Sequence, residues 1–289
     1  MSSIIADFFY HYYDKQPKLS AEEAEALIKK SQENGFIPTE DPKILDTRRV
    51  DTENGSIFYL NEDTEANYTV FYLHGGAYKV DFSPFHWRLI GKIIHKTNAE
   101  VIAPAYLLLP FGTYKEAFDL IIPLYQKYVE EHPERKIIIM GDSAGGGLSL
   151  AVTEQLKKSG IRMPDELILL SPWVDISMEN PDMPTYEEKD PWLFKSGLTV
   201  CAEYWAGGLD LHDPHISPIY GDLSGIDHVT VFTGTNEMLY PDSVKFFNML
   251  EQSDSNELIV AEDMLHVYPL MPIPEAVPTQ KKIYEKIKR

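Results

Sequence analysis

Lys136-Ile137-Ile138-Ile139-Met140-Gly141-Asp142-Ser143-Ala144-Gly145 is the stretch on which the fold turns. Its first half is a short, continuous apolar run, the pattern of a strand buried on both faces. The residues that follow, GGLSLAVTEQLKK, read as a helix. Between them Gly141-Asp142-Ser143-Ala144-Gly145 makes a serine-bearing strand-to-helix turn, where glycines give room to a strained, closely packed backbone. Such a turn lifts the hydroxyl out at the sheet edge, with the helix N-terminus behind it favouring a developing negative charge.

Outward from this point, short apolar runs alternate with longer amphipathic segments. The runs cover residues 68–73, 100–103, 167–170, 229–232 and 258–261, besides 136–140. That alternation predicts a mostly parallel sheet with helices on both faces. Two earlier strand candidates, 43–50 and 56–60, are joined by an Asp-Thr-Glu-Asn-Gly turn and predict an antiparallel hairpin at a sheet edge. Before them, Ser20 and Glu23 make a capping box, Ala24, Leu27 and Ile28 form an apolar stripe, and Gly35 and Pro38 stop the helix. One connection is long: roughly 55 residues follow Leu170, where a loop of about 2–6 is usual. With Trp173, Trp192, Phe194, Tyr204 and Trp205 in it, residues 173–215 are expected to form a small helical lid, joined by residues 1–40. No linker composition interrupts the chain, so residues 1–289 are expected to make a single domain.

A serine hydroxyl needs a base to take its proton. Of nine histidines, His11, His86, His95 and His132 fall in predicted helices or their ends, and His228 opens a strand. His212 and His215 share a loop without a further cluster of metal ligands. His266 follows the last strand, where a loop returns to the edge that carries Ser143, and is the expected base. The supporting acid should lie between serine and histidine in the chain. Glu237, after the strand VTVFTG, satisfies that order; Asp175, after LILLSPWVD, competes with it, and Asp242 is expected to cap a helix or form a salt bridge. A tetrahedral oxyanion needs preorganised N–H donors. His74-Gly75-Gly76-Ala77-Tyr78 closes the strand YTVFYL, so Gly75, Gly76 and Ala144 are the candidate donors, with His74 bracing the loop. Tyr78, Phe82, Phe85, Trp192 and Trp205 are candidate pocket walls or, equally, plain core.

Composition narrows the function. With 26 basic and 45 acidic residues the formal net charge is −19, which opposes binding to nucleic acid or to anionic lipid. Cys201 is the sole cysteine, so no intrachain disulfide forms. The first residues lack a basic n-region and no apolar run reaches membrane-spanning length, so a cytoplasmic protein is expected. Neutral or cationic small molecules would not be repelled by this charge, and a homo-oligomer is compatible with these features.

Taken together, HGGAY at 74–78, GDSAGG at 141–146, SPWVD at 171–175, DPHISPIYGDLSG at 213–225, GTNEMLYPD at 234–242 and HVYP at 266–269 resemble the hormone-sensitive-lipase-like group of carboxylesterases in the α/β-hydrolase superfamily. The resemblance implies an eight-stranded α/β-hydrolase fold and hydrolysis of short to medium acyl esters without metal or cofactor. It assigns Ser143, Glu237 and His266 to the triad and Gly75, Gly76 and Ala144 to the oxyanion hole. Three departures stand out: Ala77 replaces the third loop glycine, Glu237 replaces an aspartate, and residues 106–110 lack the arginine and glutamate often found there. Two other functions compete: an amidase or exopeptidase, with Glu187 and Glu188 as anchors for an α-ammonium group, and a non-catalytic binding protein.

Overall fold

The computed structural model describes residues 2–16, 18, 20–43 and 45–289. Eight strands form one sheet: β1 (Thr47–Thr52), β2 (Gly55–Leu60), β3 (Tyr68–Leu73), β4 (Glu100–Tyr106), β5 (Lys136–Asp142), β6 (Glu166–Leu170), β7 (Val229–Asn236) and β8 (Glu257–Leu265). Their spatial order is β1-β2-β4-β3-β5-β6-β7-β8. The β1–β2 and β2–β4 pairs are antiparallel and all others are parallel, so the predicted hairpin does sit at one edge.

Alternation along each strand feeds two cores. Ile137 and Ile139 face α4 (Tyr114–Glu131) and α5 (Ala144–Lys158) on one side of the sheet. Ile138 and Met140 face α3 (Pro84–Thr97) and α9 (Ala276–Lys288) on the other. All four strand residues are buried, and cutting one back to alanine would cost about 2–5 kcal/mol. Because β3, β5, β6, β7 and β8 run parallel, the loops that follow them open at one edge of the sheet, where chemistry-bearing residues collect.

The N-terminal helices α1 (Ile4–Asp14) and α2 (Ala21–Asn34) lie over that edge. The capping box on α2 forms as read: the Ser20 hydroxyl accepts from Glu23 N–H and the Glu23 carboxylate accepts from Ser20 N–H. Helix α2 packs against α7 (Lys195–Ala206), which belongs to the long segment after β6 together with α6 (Met183–Glu187). Beyond β7, α8 (Tyr240–Met249) completes the helices placed among the described residues. None of them is long and apolar enough to cross a membrane.

Several local expectations need correction. The first strand starts at Thr47, not 43, and Ile44 lies outside the described residues. Ala24 and Ile28 are buried, but Leu27 is 40% exposed at the mouth of a cavity. Strand β4 continues past its apolar run through Pro104, which is tolerated because β3 has stopped pairing by Ile102 and only β2 remains alongside. The run at 258–261 is not doubly buried: β8 is an edge strand and Val260 is 42% exposed.

Candidate active site

Ser143 sits between β5 and α5 with φ 52° and ψ −122°, a conformation that costs an L-residue about 1–3 kcal/mol. The surroundings enforce it. Its N–H donates to the Leu170 carbonyl at 2.9 Å, and its carbonyl accepts from Gly146, Gly147 and Trp173 N–H at 3.0, 3.1 and 2.8 Å. The glycines are required by contact: a Cβ on Gly141 would lie 2.3 Å from the Gly145 oxygen, and one on Gly145 would lie 2.1 Å from the Leu73 oxygen. Gly75, on the neighbouring loop, could carry no Cβ either, since it would stand 2.3 Å from Asp142 Oδ2 and 2.9 Å from Ser143 Cβ.

The loop after β8 delivers His266 to this serine. His266 Nε2 lies 2.9 Å from Ser143 Oγ and Nδ1 lies 2.8 Å from Glu237 Oε2. A carboxylate opposite Nδ1 places the ring proton there and leaves Nε2 to accept from the serine hydroxyl. Glu237 is itself fixed: Oε1 accepts from Gly234 N–H at 3.1 Å and from the Thr233 hydroxyl. All three side chains are buried. Asp175 is engaged elsewhere, accepting from Ser177 N–H and hydroxyl and from Tyr220 hydroxyl. Asp242 neither caps nor bridges a cation as expected; it accepts from Asn180 Nδ2 at 2.7 Å.

On the facing loop, Lys79 and Val80 N–H close a turn onto the Gly76 carbonyl. Gly76 has φ 115°, and Ala77 takes φ 52°, adopting as an L-residue the left-handed backbone a glycine would accept freely. Among the described residues, the backbone bonds that close the loops leave the N–H groups of Gly75, Gly76 and Ala144 unspent. His74 does brace this loop. Its Nδ1–H donates to the Gly75 carbonyl at 2.7 Å, and its ring stacks on Tyr106, whose hydroxyl donates to the His74 carbonyl at 2.6 Å. Burial pushes the imidazole down to about 4, so it stays neutral.

Two polar groups here escaped the sequence reading. Asp142 accepts from Tyr72 hydroxyl at 2.8 Å and from His86 Nε2–H at 3.2 Å. The His86 tautomer follows from its Nδ1, which accepts Ser83 N–H at 2.8 Å in the manner of a capping-box glutamate. Burial works against the Asp142 charge, but His86 and Tyr72 outweigh it and hold the carboxyl below its usual value. Asp190 accepts from Trp192 and Leu193 N–H on one oxygen and from Met238 N–H on the other, tying the wall segment to the residue after Glu237. Burial raises its carboxyl to about 6 in spite of His266 and these donors. The sequence signal for it is an aspartate directly before Pro191-Trp192, where a side chain commonly closes a turn.

The aromatic candidates divide. Tyr78 and Trp205 are core: their rings stack at 3.8 Å and 1°, both are buried, and the Tyr78 hydroxyl donates to the Ala144 carbonyl. Phe85 packs on the α3 core and lines neither of the two main cavities. Phe82, stacked on Trp87 at 4.3 Å, lines a cavity of about 610 Å³. That cavity, although the larger, lies between residues 31–43 and the outer side of the 74–82 loop and touches neither Ser143 nor His266. Trp192 stands with its ring 5.8 Å from that of His266, stacks on Tyr13 at 4.5 Å, and walls a cavity of about 390 Å³ that also reaches Ala77. This smaller space, bounded by α1, α2, α7 and residues 191–194, has neither Ser143 nor His266 in its lining, but two of its walls belong to the site: Trp192, next to His266, and Ala77, next to Gly76.

Other predicted features lie apart. His212 pairs with Asp210 and Glu179, and His215 pairs with Asp213. Among the described residues no three metal-ligating side chains converge. The Glu187 carboxylate accepts from Lys195 N–H, and neither Glu187 nor Glu188 faces either cavity.

Comparison with known proteins agrees with this architecture. A family model described as alpha/beta hydrolase fold matches residues 70–270. The chain is 32% identical over 197 residues to an esterase of Acinetobacter venetianus, a match that covers 68% of this chain and 65% of that protein. The chain thus matches just under two thirds of that relative's length. A crystal structure of a Staphylococcus aureus protein provisionally named an esterase superimposes with a TM-score of 0.88 at 28% identity, over 99% of each chain. An esterase from the bacterial hormone-sensitive lipase family superimposes with a TM-score of 0.82, over 100% of this chain and 98% of that one. At 22% identity that last likeness speaks for the fold alone.

Proposed function

The chain belongs to the alpha/beta-hydrolase fold family, and on that premise we propose that it is a serine carboxylesterase acting on short to medium acyl esters. Within the family it is similar to the hormone-sensitive-lipase-like group. The observation that carries the proposal is the continuous relay from Ser143 Oγ through His266 to Glu237, with contacts of 2.9 and 2.8 Å.

In the proposed reaction Ser143 Oγ attacks the ester carbonyl while His266 Nε2 takes its proton. Glu237 stabilises the resulting imidazolium. The oxyanion is received by Gly75, Gly76 and Ala144 N–H, donors of which each is typically worth about 10²–10³ in rate. Collapse expels the alcohol, which takes the proton from His266, and leaves an acyl-Ser143 ester. Water, deprotonated by the same imidazole, then releases the acid and restores the serine. Each half needs a neutral imidazole at His266 to take the proton. Residues 1–40 and 173–215 act as the lid in this reading, with Trp192 as a wall of the substrate space. A cytoplasmic location belongs to the same proposal and is open to test by cell fractionation.

Hydrolysis of p-nitrophenyl acetate, butyrate and octanoate by the wild type and by Ser143→Ala tests the assignment. Activity that disappears with the hydroxyl supports it; activity that survives the substitution, or none on any ester, overturns it.

A further inference from the structure

The 390 Å³ cavity walled by Trp192 and Ala77 has a lining that does not match the rest of the chain. The protein carries 45 acidic residues, yet none of the described residues lining this space is acidic, while Lys18 and Lys79 both are basic and both line it. Lys18 is occupied, its Nζ donating to the Asp190 carbonyl at 3.1 Å. Lys79 is not: among the described residues its ammonium has neither an ion pair nor a hydrogen bond. Asp81, two residues on, lines the larger cavity with Lys79 but forms no ion pair with it, accepting instead from Phe82 N–H and standing 4.0 Å from His74 Nε2. Lys79 is also held in place, because its own N–H closes the turn onto Gly76, in the loop that offers the candidate oxyanion donors. Lys79 stands between the two cavities and lines both, and in the smaller one it shares the lining with Cys201, whose thiol burial pushes up to about 11 against the Lys79 charge.

We propose that this cavity seats an ester bearing a carboxylate, with the Lys79 ammonium as its counter-ion. The inference rests on the esterase reading and narrows its substrate class. The rim is apolar and open, with Tyr12, Leu27 and Val80 each 40–59% exposed, so an aliphatic or aromatic spacer can cross it while the anion finds Lys79. The net charge of −19 repels an anion at a distance, but at physiological salt that repulsion fades beyond about 8 Å, which leaves the local lysine to decide binding.

The carboxylate could be carried by the acyl part or by the alcohol part, and paired probes separate the two. The acyl pair is mono-p-nitrophenyl adipate against p-nitrophenyl hexanoate, which differ by a carboxylate in place of a methyl group. The alcohol pair is p-acetoxybenzoate against p-acetoxytoluene. Each is read as a ratio of kcat/KM within one enzyme preparation, so losses of folding or general activity cancel. Lys79→Met should lower the anionic-to-neutral ratio about five- to tenfold for one of the pairs, and Lys79→Arg should keep it. Neutral esters cleaved with both ratios unmoved by Lys79→Met would overturn this inference and leave the esterase reading intact. A wild type that cleaves none of the four esters would overturn both.

Discussion

The sheet edge and the wall that faces it are built on different principles. At the edge, Ser143, His266 and Glu237 are buried, each is tied by short hydrogen bonds, and neighbouring glycines are packed so closely that one added carbon would collide with backbone. The wall of α1, α2, α7 and residues 191–194 is held by ring stacking such as Tyr13 on Trp192, and by a few bonds such as Lys18 and Tyr10 to carbonyls of residues 189 and 190. It leaves Ile4 and Phe8 88% and 65% exposed. The contrast teaches a division of labour. Reacting groups need geometry good to a fraction of an ångström, whereas apolar walls need only volume and shape.

If that division holds, damage to the edge should remove rate without altering preference. Ser143→Ala is expected to lower kcat on every ester by about 10⁵-fold or more with an unchanged Tm, as assays and thermal melts on the same preparation would show. Next in size, Glu237→Gln should cost about 10³–10⁴-fold by presenting the wrong partner to His266 Nδ1. Asp175→Asn, its one-time competitor, should cost less than about tenfold; a reversal of these two effects would mean that the acid has been misidentified.

Damage to the wall should do the opposite. Trp192→Ala is expected to shift the octanoate-to-acetate ratio of kcat/KM by about tenfold while acetate turnover falls less than that. An equal loss on both esters would place Trp192 with the edge and break the comparison.

The smallest effect concerns a flaw on the sheet side. Glu154 on α5 is buried, its Oε1 has no partner among the described residues, and burial, aided by Asp222 and opposed by Lys157, raises its carboxyl to about 8. A group that holds its proton more tightly folded than unfolded supports the fold at low pH and withdraws that support as pH rises toward 8. Glu154→Gln should therefore melt a few degrees above wild type at about pH 9 and no higher at about pH 4. Equal melting at both values would show that Glu154 finds a partner.

What could be read from the chain follows the same line. The strand-elbow-helix unit was legible because the turn is local: strand pattern, glycines and serine occupy ten consecutive residues. His266 and Glu237 followed from where parallel strands must end. Asp190 and the Tyr72–Asp142–His86 group were missed because their partners come from distant segments, a separation no local pattern records. Tyr78, Phe85 and Trp205 were open between wall and core because an aromatic residue serves both; only packing decides, and it placed Tyr78 and Trp205 inside and Phe85 half-buried against the α3 core. Leu27 shared a helical stripe with Ala24 and Ile28, yet lies at a cavity mouth where the stripe runs out.

Gly75 lies against Asp142 and Ser143, while Gly145 lies against Leu73 and His74, so the two site loops interlock in both directions. For anyone remodelling this protein, the donor loop and the serine loop are a single inherited part. A library that randomises either one alone will consist mostly of steric failures. New chemistry at this edge has to be sought by exchanging both loops together, whereas new selectivity can be sought in the wall one residue at a time.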